Sequence, residues 1–227
     1  ADLGNIAPGH SVEDTYYALS QSVEFLLRKN IIPIIIGGGH DLTYAQFRGY
    51  EKLEQTINGV TIDSVVDLEN PDDEFNSRSF LVKVILHQPN YLFNYSHIGY
   101  QTYLVEQSQL QMMDKLYFDV YRLGQIRDNI QESEPVIRFA DFLTFDFSVM
   151  KYADAPGNAH VSPNGFYAEE ACQMMWYAGM SDRLTSLGLY EINPAFDKSG
   201  MTAQLAAQML WCFIDGFYAR KKDYPSR

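Results

Sequence analysis

The segment IIPIIIGGGHDLTYAQF, from Ile31 to Phe47, combines a strand-like run, a glycine turn and a helix-like pattern. It opens with a run of β-branched residues, which is typical of a buried β-strand. Three glycines then permit a tight turn, and the pair His40 and Asp41 precedes a helix-like pattern. Neither residue of this pair can contribute to an apolar core. The segment therefore predicts a strand of a parallel sheet whose end carries polar side chains with a function.

The same alternation of strand and helix continues along the chain. Strands are predicted at Ile31–Ile36, Gly59–Val66, Tyr91–Ile98, Leu116–Tyr121, Phe142–Phe147 and Ser186–Ile192. Helices are predicted at Ser11–Lys29, Leu42–Leu53, Ser79–His87, Thr102–Met113, Glu169–Tyr177 and Thr202–Tyr218. Apolar strands that alternate with amphipathic helices indicate a three-layer α/β/α fold with a central, mostly parallel sheet. No internal repeat or long linker divides the chain, so we expect a single domain over residues 1–227.

The first predicted helix is expected to bury one apolar face. Its apolar residues recur at helical spacing, and Ser11 stands where an N-cap belongs. The expected buried face consists of Val12, Tyr16, Leu19, Val23 and Leu26.

Composition excludes several classes of partner. The chain has 227 residues and a formal net charge of −12, so its surface repels the phosphates of nucleic acids. No apolar stretch reaches the ~18 residues that a membrane span needs, and no signal peptide opens the chain. We therefore expect a soluble, cytoplasmic protein with no membrane partner. Cys172 and Cys212 lie in apolar helical contexts and are expected to be reduced thiols.

Acidic residues follow several of the predicted strands. In a parallel sheet, ligands bind beyond the carboxyl ends of the strands. The strands deliver these side chains to that edge: His40, Asp63, Asp67, Asp146 and Glu191. A single aspartate at a strand end is more often a helix cap or a turn residue. Together, however, the acidic groups repel one another unless a cation neutralises them, and mixed imidazole and carboxylate ligands suit manganese. We expect the strands that carry them to be parallel neighbours.

Four motifs connect the chain with a known family. GGGHD, DSVVD, TFDFSVMKYADAPG and YEINP occur in the order, and with roughly the separations, of GGDHS, DAHxD, SFDxDxxDP and ExNP in the ureohydrolase family. That family includes arginase, agmatinase and formimidoylglutamase. The chain resembles it from ADLGN, which is similar to the family's DxGD, through the last helix. The arginase-like resemblance implies a sheet of about eight strands, with at least one strand before residue 1. It also implies two bridged manganese ions, a homo-oligomer, and hydrolysis of a guanidino or formimino carbon–nitrogen bond.

Four residues of this chain match metal ligands of the family. By this resemblance, His40 and Asp67 serve one manganese ion, and Asp63 and Asp146 bridge that ion to a second one. The bridging role also makes Asp146 a candidate catalytic residue.

The second ion's private ligands are missing. Val65 stands where DAHxD has its histidine, and Ser148 stands where SFDxD has its second aspartate. Valine offers no lone pair, and a serine hydroxyl is a poor substitute for a carboxylate. We therefore expect at most one manganese ion per chain, weakly bound at the position that His40 and Asp67 serve.

Two further residues are candidates on the substrate side. Glu191 matches the carboxylate that the family directs at the cationic nitrogen of the substrate, and the alternative is a strand-end carboxylate bonded to nearby backbone N–H groups. His160 lies in the loop APGNAHVSPNG, where it is either a catalytic proton carrier or an ordinary loop histidine. His97 is interpreted as a strand-end histidine with its hydrogen bonds satisfied.

Two hypotheses on function follow. The first is a metal-dependent hydrolase that acts on a linear amidine, a small guanidino or formimino compound, with an altered or single-ion site. The second is a non-catalytic binding or scaffold protein that retains the ureohydrolase fold. The replacements at Val65 and Ser148 favour the second hypothesis, whereas the retained acidic residues and His40 favour the first.

Overall fold

A computed structural model describes residues 1–69 and 75–222 and contains one parallel β-sheet flanked by helices. The strands are β1 Ile34–Ile36, β2 Ile57–Ile62, β3 Leu92–Tyr100, β4 Asp119–Arg122, β5 Phe142–Asp146 and β6 Ser186–Tyr190. The helices are α1 Val12–Leu27, α2 Leu42–Arg48, α3 Phe80–Leu86, α4 Gln107–Lys115, α5 Leu123–Asp128, α6 Ser133–Arg138, α7 Ala168–Met180 and α8 Met201–Tyr218. Within the described ranges, no helix combines the length and the apolar character needed to cross a bilayer.

The order of the strands places four carboxyl ends side by side. The sheet runs β1-β6-β5-β2-β3-β4, and each neighbouring pair is parallel. Leu189 of β6 pairs with both Ile36 of β1 and Phe145 of β5, and Phe145 also pairs with Ile62 of β2. The predicted neighbourhood of these four strands is therefore confirmed. The described part of the chain contributes six strands to the sheet, where the family resemblance implied about eight.

Side chains on the two faces of the sheet join two separate apolar clusters. Phe142 and Ile57 pack with residues of α1, α2, α3 and α4, whereas Leu143 and Val60 pack with residues of α5, α6, α7 and α8. Phe142 and Leu143 are adjacent in β5 and point to opposite faces, as the alternation of a strand requires. The predicted three-layer α/β/α architecture is confirmed.

The buried face of α1 differs in part from its prediction. Ser11 is the N-cap, as predicted, because its hydroxyl accepts a hydrogen bond from the Asp14 N–H at 3.4 Å. Val12, however, is 59% exposed and does not belong to the buried face. The last buried position is Leu27 rather than Leu26. The buried residues of this helix are Tyr16, Leu19, Ser20, Val23 and Leu27.

Short elements were the ones that sequence patterns missed. The helices α5 and α6, between β4 and β5, were not predicted, because each spans only six residues and shows no sustained period. The first strand is limited to Ile34–Ile36, whereas the prediction began at Ile31. The helix expected from Thr102 begins only at Gln107.

Two glycines bring α7 and α8 into backbone contact. A Cβ atom added to Gly179 would lie 2.1 Å from the Phe213 carbonyl oxygen, and one added to Gly216 would lie 2.2 Å from the Trp176 carbonyl oxygen. Backbone atoms cannot move aside as a flexible side chain can. The packing of this helix layer therefore requires glycine at both positions. The same helices carry Cys172 and Cys212, which are free thiols.

Substitution of one of these glycines tests the contact. We expect Gly179→Ala to lower the free energy of unfolding by about 1–3 kcal/mol, because the new methyl group overlaps the backbone of α8. The matched control is Gly124→Ala in α5, where an added Cβ meets no atom within 4 Å. The control should leave the stability unchanged or raise it by up to about 1 kcal/mol. Urea unfolding followed by circular dichroism measures both. Equal midpoints for Gly179→Ala and the parent would contradict the proposed contact.

Candidate metal centre

His40 reaches the carboxyl edge of the sheet through the glycine turn after β1. Gly37 and Gly38 have φ values of +89° and +80°, a backbone conformation that glycine adopts without strain. The Gly38 carbonyl accepts a hydrogen bond from the Glu191 N–H at 2.9 Å, which ties the turn to the end of β6. The His40 ring is fully buried, and its centroid lies 4.6 Å from that of Phe80 in α3. The turn therefore places an imidazole inside the protein, at the end of the strands.

Asp41, the other residue of the His-Asp pair, serves a different partner. Its carboxylate accepts a hydrogen bond from the hydroxyl group of Tyr16 in α1. The bond ties the first helix to the turn that carries His40. Asp41 is therefore a structural residue outside the carboxylate cluster.

Three carboxylates face one nitrogen of the His40 ring. Nδ1 lies 3.1 Å from Asp67 Oδ2 and 3.3 Å from both Asp63 Oδ2 and Asp146 Oδ2. The other ring nitrogen, Nε2, lies 3.2 Å from the hydroxyl oxygen of Thr144. All of these side chains are buried. The structure thus brings together the four residues that the family resemblance implied as metal ligands.

The atoms at the centre of this cluster lack hydrogen-bond partners. Among the described residues, His40 Nδ1, Asp63 Oδ2 and Asp67 Oδ2 are buried without one, although these atoms all lie within 4.8 Å of one another. Leaving a buried polar atom unpaired costs about 1–3 kcal/mol. A divalent cation would satisfy all three at once, and one imidazole with carboxylates is a donor set that suits manganese. The residues present therefore fit a metal ion.

Burial and like charges shift the protonation of the cluster. Burial, together with the charge of Asp63, raises the pKa of Asp67 well above its usual value and also raises the pKa of Asp146. Burial acts to lower the pKa of His40, but the three nearby carboxylates outweigh it and raise that pKa well above the usual value. Burial likewise acts to raise the pKa of Asp63, yet the nearby His40 ring prevails and lowers it. These shifts favour the protonated forms of His40, Asp67 and Asp146, as crowding of like charges would.

The Oδ1 atoms of Asp63 and Asp146 accept hydrogen bonds from other groups of the protein. Asp63 Oδ1 accepts hydrogen bonds from the Ser148 hydroxyl at 3.1 Å, the Val65 N–H at 3.3 Å and the Ser64 hydroxyl at 3.4 Å. Asp146 Oδ1 accepts one from the Ser148 N–H at 2.6 Å. These oxygens point toward Val65 and Ser148, the two positions at which the family motifs would place further ligands. Hydrogen bonds of the protein therefore satisfy them without a metal ion.

Glu191 lies beside the cluster and is held by backbone groups. Its Oε1 accepts a hydrogen bond from the His40 N–H at 3.0 Å, and its carbonyl accepts one from the Asn158 amide at 3.0 Å. Its φ of +61° is uncommon for a residue other than glycine. Burial and the charge of Asp146 raise its pKa. The bond to the His40 N–H is expected for a strand-end carboxylate that only holds the backbone. The position beside the carboxylate cluster is expected for a residue that binds the substrate.

His160 lies at the rim. Its side chain is exposed, and its backbone N–H donates to the side-chain carbonyl of Asn158, the residue that also bonds Glu191. The positive form of His160 acts on Glu191 electrostatically and opposes the rise in the pKa of that carboxyl group. The loop therefore keeps His160 near Glu191 and outside the buried carboxylate cluster.

Two threonines below the cluster were not singled out from the sequence. Thr61 and Thr144 pair across β2 and β5, and their hydroxyl oxygens are 2.9 Å apart. Each stands two residues before an aspartate of the cluster, Asp63 or Asp146, so it points to the same face of the sheet. That spacing was the available signal. The Thr144 hydroxyl, in turn, positions the His40 ring through Nε2.

His97 in β3 is also part of the site. It was interpreted as satisfied, but only one ring nitrogen has a partner: Nε2 lies 3.1 Å from the Asp63 carbonyl oxygen, whereas Nδ1 is buried without one among the described residues. A carbonyl oxygen can only accept, so Nε2 carries the proton. Burial lowers the pKa of His97 to about 4, which keeps the ring neutral.

Comparison with known proteins agrees with this geometry. Residues 1–215 match the model of the family described as the arginase family. A formimidoylglutamase of Lysinibacillus sphaericus is 24% identical over 220 residues, which cover 92% of this chain and 68% of that protein. A formimidoylglutamase of Bacillus subtilis is 21% identical over 229 residues, 95% of this chain and 71% of that protein.

Solved structures share the fold. The formiminoglutamase of Trypanosoma cruzi with Mn2+2 superposes with a TM-score of 0.87 at 20% identity, covering 94% of this chain and 74% of that one. The arginase of Bacillus subtilis superposes with a TM-score of 0.81 at 21% identity, covering 94% of this chain and 83% of that one. The predicted fold class is therefore confirmed by comparison as well.

The charge repulsion in the cluster predicts a pH-dependent stability. Because the folded protein raises the pKa of Asp67, it retains a proton that the unfolded chain releases above about pH 3.9. The stability that depends on this proton is present at low pH and lost as the pH rises through the folded-state pKa. Asp67→Asn removes this loss of stability at high pH, because asparagine has no carboxyl group that ionises. In the presence of a chelator, we expect the variant to be more stable than the parent at about pH 8.5, by a margin that narrows toward about pH 5.

Urea unfolding at several pH values measures this margin. The control is Asp119→Asn at an exposed position of β4, which should change the free energy of unfolding by no more than about 0.5 kcal/mol. If Asp67→Asn were less stable than the parent at about pH 8.5 without metal, the carboxylates would not repel one another as the geometry indicates.

Proposed function

Because the chain belongs to the arginase family, we propose that it binds one manganese ion and hydrolyses a carbon–nitrogen bond of a linear amidine. The observation that carries this proposal is the set of three converging atoms without partners, His40 Nδ1, Asp63 Oδ2 and Asp67 Oδ2. The similarity to formimidoylglutamases supports a formimino compound as the first substrate class to test, with guanidino compounds as the second.

The residues that would hold the ion are His40, Asp63 and Asp67, and Asp146 Oδ2 lies beside them, 3.3 Å from His40 Nδ1. When bound, the ion supplies a Lewis acid that acidifies water and polarises the amidine. Three carboxylates exceed the charge of one divalent ion, which weakens its pull on electrons. We therefore expect slower turnover than two ions would support.

Three residues of the chain would handle the substrate and its protons. Glu191 would accept hydrogen bonds from the cationic nitrogen of the amidine, since a carboxylate is the strongest acceptor for such donors. Asp146, whose Oδ1 is anchored by the Ser148 N–H, would accept the proton of the attacking water at Oδ2. His160, exposed at the rim, would deliver a proton to the leaving nitrogen.

A non-catalytic scaffold is the second candidate function. The observation in its favour is the set of hydrogen bonds from Ser148, Ser64 and Val65 that satisfy Asp63 Oδ1. These bonds stabilise the site without a second ion. A scaffold protein needs the fold and does not need a complete metal centre. In either case, a homo-oligomeric state and a cytoplasmic location stay predictions.

A product-release assay separates the two candidates. The protein is loaded with manganese and incubated with a panel of formimino and guanidino compounds, and the formamide, ammonia or urea released is measured. The enzyme hypothesis predicts turnover by the parent, and a loss of at least about tenfold in Glu191→Gln with unchanged manganese content. Manganese binding without product from any compound would favour the scaffold.

Restoring the missing ligands tests the single-ion site. We expect Val65→His with Ser148→Asp to raise the manganese stoichiometry from one toward two per chain. The double variant should be less stable than the parent with chelator, because it adds a carboxylate beside Asp63. With manganese it should gain more stability than the parent does, since a ligand that binds only the native state stabilises that state.

Each single substitution is the control for the pair. Either one leaves the second ion short of a private ligand, so the gain in stoichiometry should be smaller. Metal analysis after gel filtration gives the stoichiometry, and thermal unfolding gives the stability. A double variant that folds and binds no more manganese than the parent would show that this edge cannot accept a second ion.

A further inference from the structure

We propose that His97 is a positioning residue of the candidate metal centre: its imidazole N–H replaces a missing backbone donor and fixes the segment that carries Asp63. The inference rests on the proposed function, because it assigns His97 a part in holding one of the residues that would bind the ion. The backbone pairing of β2 with β3 loses its regular pattern at the carboxyl ends of these strands.

The ladder between β2 and β3 is interrupted next to Asp63. The Asp63 N–H donates to the Ile98 carbonyl at 2.9 Å, as a parallel ladder requires. The regular continuation would have the Tyr100 N–H donate to the Asp63 carbonyl. Instead, the next bond runs from the Gln101 N–H to the Ser64 carbonyl at 2.9 Å, one residue further along both chains. Within residues 1–69 and 75–222, no backbone N–H donates to the Asp63 carbonyl oxygen.

Gly99 lies at this interruption. Its φ of +104° is accessible to glycine and strained for other residues, and the pairing of β3 with β4 shows a register shift at the same place. A Cβ atom on Gly99 would lie 3.1 Å from the Asp63 carbonyl oxygen and 2.8 Å from Val149 Cγ2. The bulge therefore turns β3 while keeping it packed against the segment after β2. Irregularities of this kind frequently lie beside functional sites, where they redirect a side chain.

The imidazole of His97 supplies the donor that the bulge removes. Its Nε2 lies 3.1 Å from the Asp63 carbonyl oxygen, and its ring is fully buried. The carbonyl belongs to the same residue whose carboxylate oxygen lies 3.3 Å from His40 Nδ1. Fixing the peptide group fixes the backbone of Asp63 and, with it, the direction of the side chain.

The surroundings of Nδ1, the other ring nitrogen, indicate that His97 does not serve only to fill space in the core. His97 Nδ1 is buried without a hydrogen-bond partner among the described residues. An apolar residue would fill the same space without this cost. The ring is thus retained for the bond that Nε2 makes. Outer groups that orient metal ligands typically change metal affinity by about 10- to 100-fold when removed.

Two substitutions separate the donor from the volume of the ring. His97→Gln keeps an N–H donor at a similar distance from the backbone, whereas His97→Leu keeps an apolar volume and removes the donor. We expect manganese to bind His97→Leu about tenfold or more weakly than the parent, and His97→Gln within about threefold of it. The control is His87→Leu, because His87 lies next to Tyr44 and Glu51, away from the carboxylate cluster.

The dissociation constant of manganese is measured by electron paramagnetic resonance of the free ion, and thermal unfolding with chelator is measured in parallel. If His97 had only a structural role, His97→Leu would be less stable than the parent in the presence of chelator, and its affinity for manganese would be unchanged. Parental affinity in His97→Leu, or equal weakening in the leucine and glutamine variants, would overturn the inference.

A measurement on the parent protein needs neither a variant nor metal. Long-range proton–nitrogen spectra of histidine-labelled protein should show one ring protonated at Nε2 and unprotonated at Nδ1 across neutral pH, a signal that His97→Gln removes. Protonation at Nδ1 would overturn the inference. A parent that binds no manganese would contradict the proposed function instead, and this spectrum would still decide whether His97 holds the Asp63 carbonyl.

Discussion

The convergence of three buried carboxylates on one imidazole nitrogen is the constraint on which the site depends. Asp63, Asp67 and Asp146 each place an oxygen within 3.3 Å of His40 Nδ1. Such a group of like charges is unfavourable in a low-dielectric interior unless protons or a cation neutralise it. The strand order β1-β6-β5-β2 enforces the convergence, because it sets the carriers of these residues side by side. The fold thus brings like charges together, and a divalent ion can neutralise them.

The two oxygens of the Asp63 carboxylate have different surroundings. Asp63 Oδ2 is without a partner and faces His40, whereas Asp63 Oδ1 is bonded by Ser148, Ser64 and the Val65 N–H. One side of the cluster is therefore prepared for a cation, and the other is closed by the protein's own donors. This asymmetry is the physical basis on which we propose a single-ion site.

The fold and the cluster could be predicted because their signals are local. Runs of β-branched residues predicted the strands, and the residues just beyond them, His40 and Asp146 among them, had to meet at one edge. The short helices α5 and α6 gave too few residues for a period. His97 could not be recognised, since its role depends on a bulge at Gly99 that separates two strands. The network around Ser148 was equally inaccessible, because hydroxyl directions are set by tertiary structure.

Anomalous diffraction from crystals grown with manganese would locate the ion. We expect one manganese peak per chain, about 2.0–2.6 Å from His40 Nδ1, Asp63 Oδ2 and Asp67 Oδ2. Val65 and Ser148 should have no peak beside them, and Ser148 should keep its hydrogen bond to Asp63 Oδ1. A second peak of similar height next to those two residues would contradict the single-ion site. The absence of any peak at saturating manganese would contradict the metal centre itself.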